Sequence, residues 1–246
     1  ILLETLKKRM KSDFPNIFFE LGMRYGNPSI KDALGKFKDE SISKILILPL
    51  YPQAGSPTTA STFDSVSKYF KNKSWIPNLR FASGYHDHLK YIDAIADSVE
   101  SSYKKKGIPD KLIFSFHGMP ERYLIEGDPY YCFCHKTTRL VAEKLKLEKD
   151  QFEMAFQSRF GYEKWLQPYV DEIIPELPKK GVKSLYIISP GFSVDCLETL
   201  EEINLQYRKL FLDSGGETFE YIPCLNYSPN QVELIQSIVQ ENIQGW

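Results

Sequence analysis

Short apolar, β-rich runs alternate along the chain with longer stretches in which apolar residues recur at helical spacing. The short runs predict strands over 16–21, 44–50, 79–83, 111–116, 151–156, 184–189 and 218–222. Runs such as ILILPL and LYIIS lack polar alternation, which suits parallel strands covered on both faces. The longer pattern predicts helices over 29–38, 58–70, 88–105, 137–145, 166–177, 195–212 and 230–243. A further amphipathic helix pattern, ILLETLKKRMKSDF, opens the chain. Alternation of this kind predicts βαβ units and an α/β fold with doubly wound parallel sheets.

The two halves resemble each other. ELGMRYGNPSIKDALGKF followed by ISKILILPL recurs as AFQSRFGYEKWLQPYVDEI followed by VKSLYIISP. Arg24-Tyr25-Gly26 and Arg159-Phe160-Gly161 sit at equivalent places, between a strand end and a helix. LRFASGYHDHLKYIDAIADSV likewise parallels TFEYIPCLNYSPNQVELIQSIV. Such a repeat predicts two similar Rossmann-like lobes, with ligand in the cleft between them at the carboxyl ends of the strands. The expected organisation is a first lobe over 1–105, a second over 106–230 and a C-terminal helix over 231–246 packing back on the lobes. The lobe boundary falls in YKKKGIPD, a charged stretch with Gly and Pro. The second lobe shows four strands and the first three, and the chain starts on Ile1 without Met, so a strand is expected to be missing from the front.

Composition narrows the function classes. Among the 246 residues, 31 Lys and Arg balance 32 Asp and Glu for a net charge of −1, which offers no basic footprint for nucleic acid. No segment approaches the roughly 20 consecutive apolar residues of a membrane span, and no secretory signal pattern is present. Four cysteines are too few for a disulfide scaffold and favour a reducing compartment, so a cytoplasmic location is expected. Aromatic residues reach 14%, more than a core of this size needs, so some aromatic surface is assigned to a cleft.

Three groups of residues could carry chemistry. His117 follows the strand KLIFSF, at the position where α/β folds place functional groups. Its imidazole suits proton abstraction or metal ligation, against the alternative of a hydrogen-bonded strand-end histidine. Asp195, Glu198 and Glu202 lie at i, i+3 and i+7 on one helical stripe that could pass protons or a cation. The alternative there is a helix N-cap followed by a solvated face. Cys132, Cys134 and His135 are closely spaced, and with Cys196 and Cys224 the thiols could hold a [2Fe–2S] cluster. The alternative is free thiols behaving as small hydrophobes. His86 and His88 are read as facing solvent. The turn LPLYPQAGSPTTAST could offer N–H groups to an anion, yet it matches no nucleotide fingerprint.

Together LPLYPQAGSPTTAST, FSFHGMPERYLIEGDPY, FQSRFGYEKWLQPYVDE and SPGFSVDCLETLEEI resemble the ferrochelatase family of haem biosynthesis, in its bacterial form, along essentially the whole chain. The resemblance implies a lyase that inserts Fe²⁺ into protoporphyrin IX with release of two protons. It implies that His117 and Glu198 are the catalytic pair that meets the iron, and that Glu202 continues an acidic path with Asp195. Arg24, Tyr25, Tyr51, Thr58, Tyr130, Trp165 and Phe192 match positions lining the porphyrin cleft. The implied partners are protoporphyrin IX and ferrous iron, with transient contact at the membrane or with the upstream enzyme. The chemistry requires no cofactor. Some bacterial members hold a [2Fe–2S] cluster on an internal cysteine set, for which Cys132, Cys134, Cys196 and Cys224 are the candidates. A family segment with the first strand and a lip over the porphyrin is absent from these residues. Coproporphyrin or cobalt chelation on the same fold and a non-catalytic porphyrin or haem carrier are the alternatives, and a periplasmic-type binding protein is disfavoured.

Overall fold

The computed structural model describes residues 1–246, which fold as two compact units. The first comprises residues 1–84 with 227–246 and the second residues 85–226.

In the first unit, strands β1 (Lys44–Ile47) and β2 (Asn78–Phe81) pair in parallel. Helix α1 (Leu2–Met10) packs through Leu6 and Met10 against Val232, Ile235 and Val239 of α9 (Pro229–Ile243). Helix α2 (Ile30–Asp39) starts on a capping box. The Ser29 hydroxyl accepts from the Asp32 N–H at 3.1 Å and Asp32 Oδ2 accepts from the Ser29 N–H at 3.0 Å. Helix α3 (Ser61–Phe70) is preceded by a π turn over Ser56–Ala60, where the Gly55 carbonyl accepts from Thr59 and Ala60. Residues 16–21 form no strand ladder, contrary to expectation. In the second unit the equivalent strand pairs with a central strand that has no counterpart in the first.

The second unit is a four-stranded parallel sheet in the order β4 (Phe152–Gln157), β3 (Lys111–His117), β5 (Ser184–Ile188), β6 (Thr218–Ile222). Continuous apolar runs become strands buried on both faces: Leu112, Ile113, Phe114 and Phe116 are all at 0% exposure. One face meets Val170, Ile174, Ile203 and Phe211. Helices α4 (Leu89–Lys106) and α6 (Tyr130–Leu145) pack together within this unit. Each such fully buried Ile or Phe contributes about 1.5–3 kcal/mol. The expected boundary at 105/106 lies inside this unit, within the last turn of α4, just before Gly107 with φ of +92°.

Three helix expectations are corrected. The run over 166–177 contracts to α7 (Val170–Ile173) and two short 3₁₀ turns, because Pro175 and Pro178 interrupt the ladder. Helix α6 begins at Tyr130, seven residues earlier than expected, where Asp128 Oδ1 accepts from the Tyr130 N–H at 2.9 Å. The acidic helix runs as a π segment over Glu198–Tyr207 before α8 (Arg208–Asp213). A short α5 (Glu121–Ile125) was not expected. No helix is long and apolar enough to cross a membrane.

Candidate active site

In the second unit the chain leaves β3 for β4 on one side and then crosses to β5 on the other. The carboxyl ends of β3 and β5 therefore form the switch point where open α/β sheets bind ligands. His117 ends β3 there. Its Nδ1 lies 2.7 Å from the Gly118 carbonyl oxygen, which can only accept, so neutral His117 carries its proton on Nδ1 and keeps an Nε2 lone pair. The main chain beneath is fixed twice. The Tyr130 hydroxyl donates to the His117 carbonyl at 2.9 Å, and the Gly118 N–H donates to the Gln157 carbonyl at 2.7 Å. Position 118 admits only glycine, since a Cβ would stand 2.8 Å from the Gln157 oxygen and 3.0 Å from the Trp165 ring. Phe192, on the loop after β5, sets its ring centroid 6.4 Å from the imidazole.

Glu198 opens the π segment, a winding that recurs at functional sites. The Cys196 thiol and the Glu198 N–H bond its carboxylate, and His117 attracts it; together they hold it below the usual range against the opposing effect of burial. Burial, with the Glu198 charge, pushes the Cys196 thiol up to about 11, so it stays protonated and donates.

The other two carboxylates of the expected stripe are fully engaged as acceptors. Asp195 precedes the helix. Its Oδ1 accepts from Tyr221 at 2.6 Å and from the Cys224 N–H at 3.1 Å, and its Oδ2 accepts from Asn226 at 2.7 Å. Burial works to raise its pKa, and these bonds outweigh burial and hold it low. Glu202 accepts from the Ser158 N–H at 2.8 Å, Tyr207 at 2.7 Å, Gln157 at 3.1 Å and the Ser158 hydroxyl. It thereby steadies Ser158, whose φ of +62° lies in the left-handed region. A cavity of about 300 Å³ lies beside it, lined by Ser158, Arg159, Asp171, Glu202 and Tyr207.

The expected porphyrin-lining residues divide between the units. In the first, Arg24 stacks over Tyr25 at 4.6 Å and donates to the Ser61 hydroxyl at 2.6 Å. Tyr51 stands in electrostatic reach of both, and its hydroxyl pKa is raised, first by burial. Thr58 lies in the π turn, its hydroxyl donating to the Gly55 carbonyl at 3.2 Å. In the second, Phe192 stands beside His117, whereas Tyr130 and Trp165 are buried at 7% and 5% exposure and support the His117 turn from beneath.

The four cysteines occupy four different surroundings. Cys132 and Cys134 sit two residues apart on α6, about 200° around the helix, so one is exposed and the other buried. Cys196 serves Glu198, and the Cys224 sulfur lies 3.3 Å from the Tyr221 hydroxyl. No three His, Cys, Asp or Glu side chains are grouped so as to hold a metal ion. His86, read as solvent-facing, instead stacks on Phe133 at 3.7 Å.

A family model described as ferrochelatase matches residues 2–243. The ferrochelatase of Marinobacter nauticus is 52% identical over 99% of this chain and 66% of its own length. That of Idiomarina loihiensis is 49% identical over 94% of this chain and 64% of its length. The chain thus spans just under two thirds of these relatives. Among solved structures, SirB from Bacillus subtilis with Fe³⁺ superposes at a TM-score of 0.69, with 12% identity, covering 99% of this chain and 89% of SirB. CbiX, the terminal enzyme of sirohaem biosynthesis in denitrifying bacteria, superposes at 0.63 with 13% identity, over 98% and 91% of the two chains. At such identities the likeness speaks for a shared fold, a chelatase-type pair of α/β units. By the family match and the identity to these relatives, the chain belongs to the ferrochelatase family.

Proposed function

We propose that this chain carries the catalytic centre of a lyase that inserts Fe²⁺ into protoporphyrin IX, giving protohaem and two protons. The observation that carries the reading is the free Nε2 lone pair of His117, with the Glu198 carboxylate in electrostatic reach at the sheet's switch point. Metal insertion needs two pyrrole N–H protons removed. Neutral His117, its Nδ1–H anchored on Gly118, accepts a pyrrole proton at Nε2. The imidazolium so formed is stabilised by Glu198, which is ionised because Cys196 and its own N–H donate to it. The proton then leaves through Glu198 to water, which frees Nε2 to accept the second pyrrole proton by the same route. Glu202 and Asp195, with their oxygens already bonded, hold Ser158, Tyr207, Tyr221 and Asn226 in place rather than shuttling protons. Phe192 gives the macrocycle an apolar surface beside the base. Arg24, Tyr25, Tyr51 and Thr58 are assigned as further porphyrin contacts. Ferrous iron is a substrate that meets His117 and Glu198. A cytoplasmic site of action, with porphyrin received by brief contact at the membrane or with the preceding enzyme, completes the reading.

Cys196 gives this reading a direct test. Because its hydrogen bond is the largest influence lowering the Glu198 pKa, Cys196→Ala raises that pKa. Glu198 must be ionised to act, so the acid limb of the kcat profile moves to higher pH. Cys196→Ser, which keeps a donor, restores the limb toward the wild-type position. A profile unchanged in Cys196→Ala contradicts the assigned role of Glu198.

A further inference from the structure

Gln157 is the residue paired with His117 in the register of β3 and β4. It is 2% exposed, and every polar atom of its side chain is used. Its Oε1 accepts from the Ser115 hydroxyl of β3 at 2.6 Å and lies 3.5 Å from the Ser189 hydroxyl after β5. Its Nε2 donates to the Glu198 carbonyl at 2.8 Å and to Glu202 Oε2 at 3.1 Å. A carbonyl and a carboxylate can only accept, and hydroxyls can donate, so the amide has one consistent orientation. Its own carbonyl holds the Gly118 N–H. One residue therefore ties the turn after His117 to the first residue of the π segment.

We propose that Gln157 is a positioning residue: its buried amide, pinned by Ser115, sets the Glu198 main chain against the strand that ends in His117. The proposal rests on the reading of His117 and Glu198 as the chelating pair. Glu198 opens a π segment, and the Gln157 amide is bonded at its first residue and again at Glu202. Displacements of about 1 Å at a reacting pair cost up to about 10²-fold in rate.

Gln157→Met keeps length and volume and removes both the acceptor and the donors. In the purified protein, with Zn²⁺ and protoporphyrin, kcat is expected to fall about 10- to 100-fold. Porphyrin Kd is expected to stay within about twofold of wild type, since lost transition-state contacts lower kcat without weakening ground-state binding. The acid limb moves to higher pH, because Glu198 drifts from His117. A folded Gln157→Met protein with wild-type kcat and acid limb overturns the proposal. So does a parallel loss of kcat and porphyrin affinity with no movement of the limb, the mark of a merely structural residue. Ser115→Ala, a smaller change, frees the Oε1 end and is expected to lower kcat less, with the limb moving the same way. If Gln157→Met does not fold, an unchanged limb in Ser115→Ala overturns the proposal. Where both fold, the two changes are coupled, and Ser115→Ala costs nothing further on the Gln157→Met background. A ¹³C titration of the Glu198 carboxylate, without porphyrin, separates the two levels. Turnover failing in wild type sinks the function, whereas an unmoved Glu198 titration in the variant sinks the role of Gln157.

Discussion

Replacing His117 with Ala is expected to lower kcat for Fe²⁺ or Zn²⁺ insertion by about 10²–10⁴-fold, the range typical for loss of a positioned general base. The reasoning starts from one hydrogen bond. Because Nδ1 donates to Gly118, the basic nitrogen is Nε2, and the Glu198 carboxylate is in electrostatic reach of the ring. Porphyrin affinity is expected to change little, since the apolar surface of Phe192 remains and an interaction made only on the way to the transition state leaves ground-state binding intact. Stopped-flow absorbance separates the two quantities in one experiment. A His117→Ala protein that chelates at close to the wild-type rate contradicts the assignment.

The second large effect is on stability. Asp195→Ala leaves the Cys224 N–H without its acceptor and the Tyr221 hydroxyl with only the Cys224 sulfur at 3.3 Å, both in residues under 10% exposed. An orphaned buried donor costs about 1–3 kcal/mol and the lost Tyr221 bond adds about 1 kcal/mol, so the fold loses about 2–4 kcal/mol. For a chain of this length that lowers Tm by about 5–12 °C. The effect depends on pH in a fixed direction. The folded carboxyl lies below its ordinary value of 3.8, so its contribution is complete above that value and is lost as pH falls through the folded one. The gap in stability between wild type and Asp195→Ala is therefore widest near neutral pH and closes in acid. Asp195→Asn keeps an acceptor for Tyr221 and recovers part of the loss. A proton-relay carboxylate would behave otherwise, with Tm nearly unchanged and kcat reduced. Calorimetry at pH 7 and at about pH 2.5, below the ordinary carboxyl value, together with kcat at pH 7, distinguishes the two.

Much of this was legible in the residues, for identifiable reasons. β3 and β5 are written as near-continuous apolar runs, broken in β3 only by Ser115, a pattern that suits a parallel strand covered on both faces. His117 stands out because it is the polar residue that ends such a run. Residues 16–21 read as a strand by composition and yet pair with nothing, because pairing is decided by a neighbour and not by the strand itself. The stretch CFCH reads as a loop with metal-ligand spacing. The helix that absorbs it starts from Asp128 and Pro129, and once wound it turns Cys132 and Cys134 apart. The stripe of Asp195, Glu198 and Glu202 assumed 3.6 residues per turn. The buried residues Thr199, Ile203 and Tyr207 recur every four, a faint sign of the wider winding. Gln157 carries only a faint signal in the sequence, a single glutamine closing the strand run FEMAF. Its importance appears only when the register sets it opposite His117.

The central claim is metal insertion at His117 and Glu198. It is tested most directly by mixing the purified protein anaerobically with protoporphyrin IX in excess over enzyme and with Fe²⁺, and following the visible spectrum. The account predicts many turnovers, with free-base porphyrin bands replaced by those of protohaem, confirmed as the pyridine haemochrome, and faster conversion of protoporphyrin than of coproporphyrin. Stoichiometric porphyrin binding with no conversion to protohaem would contradict it and mark the protein as a carrier.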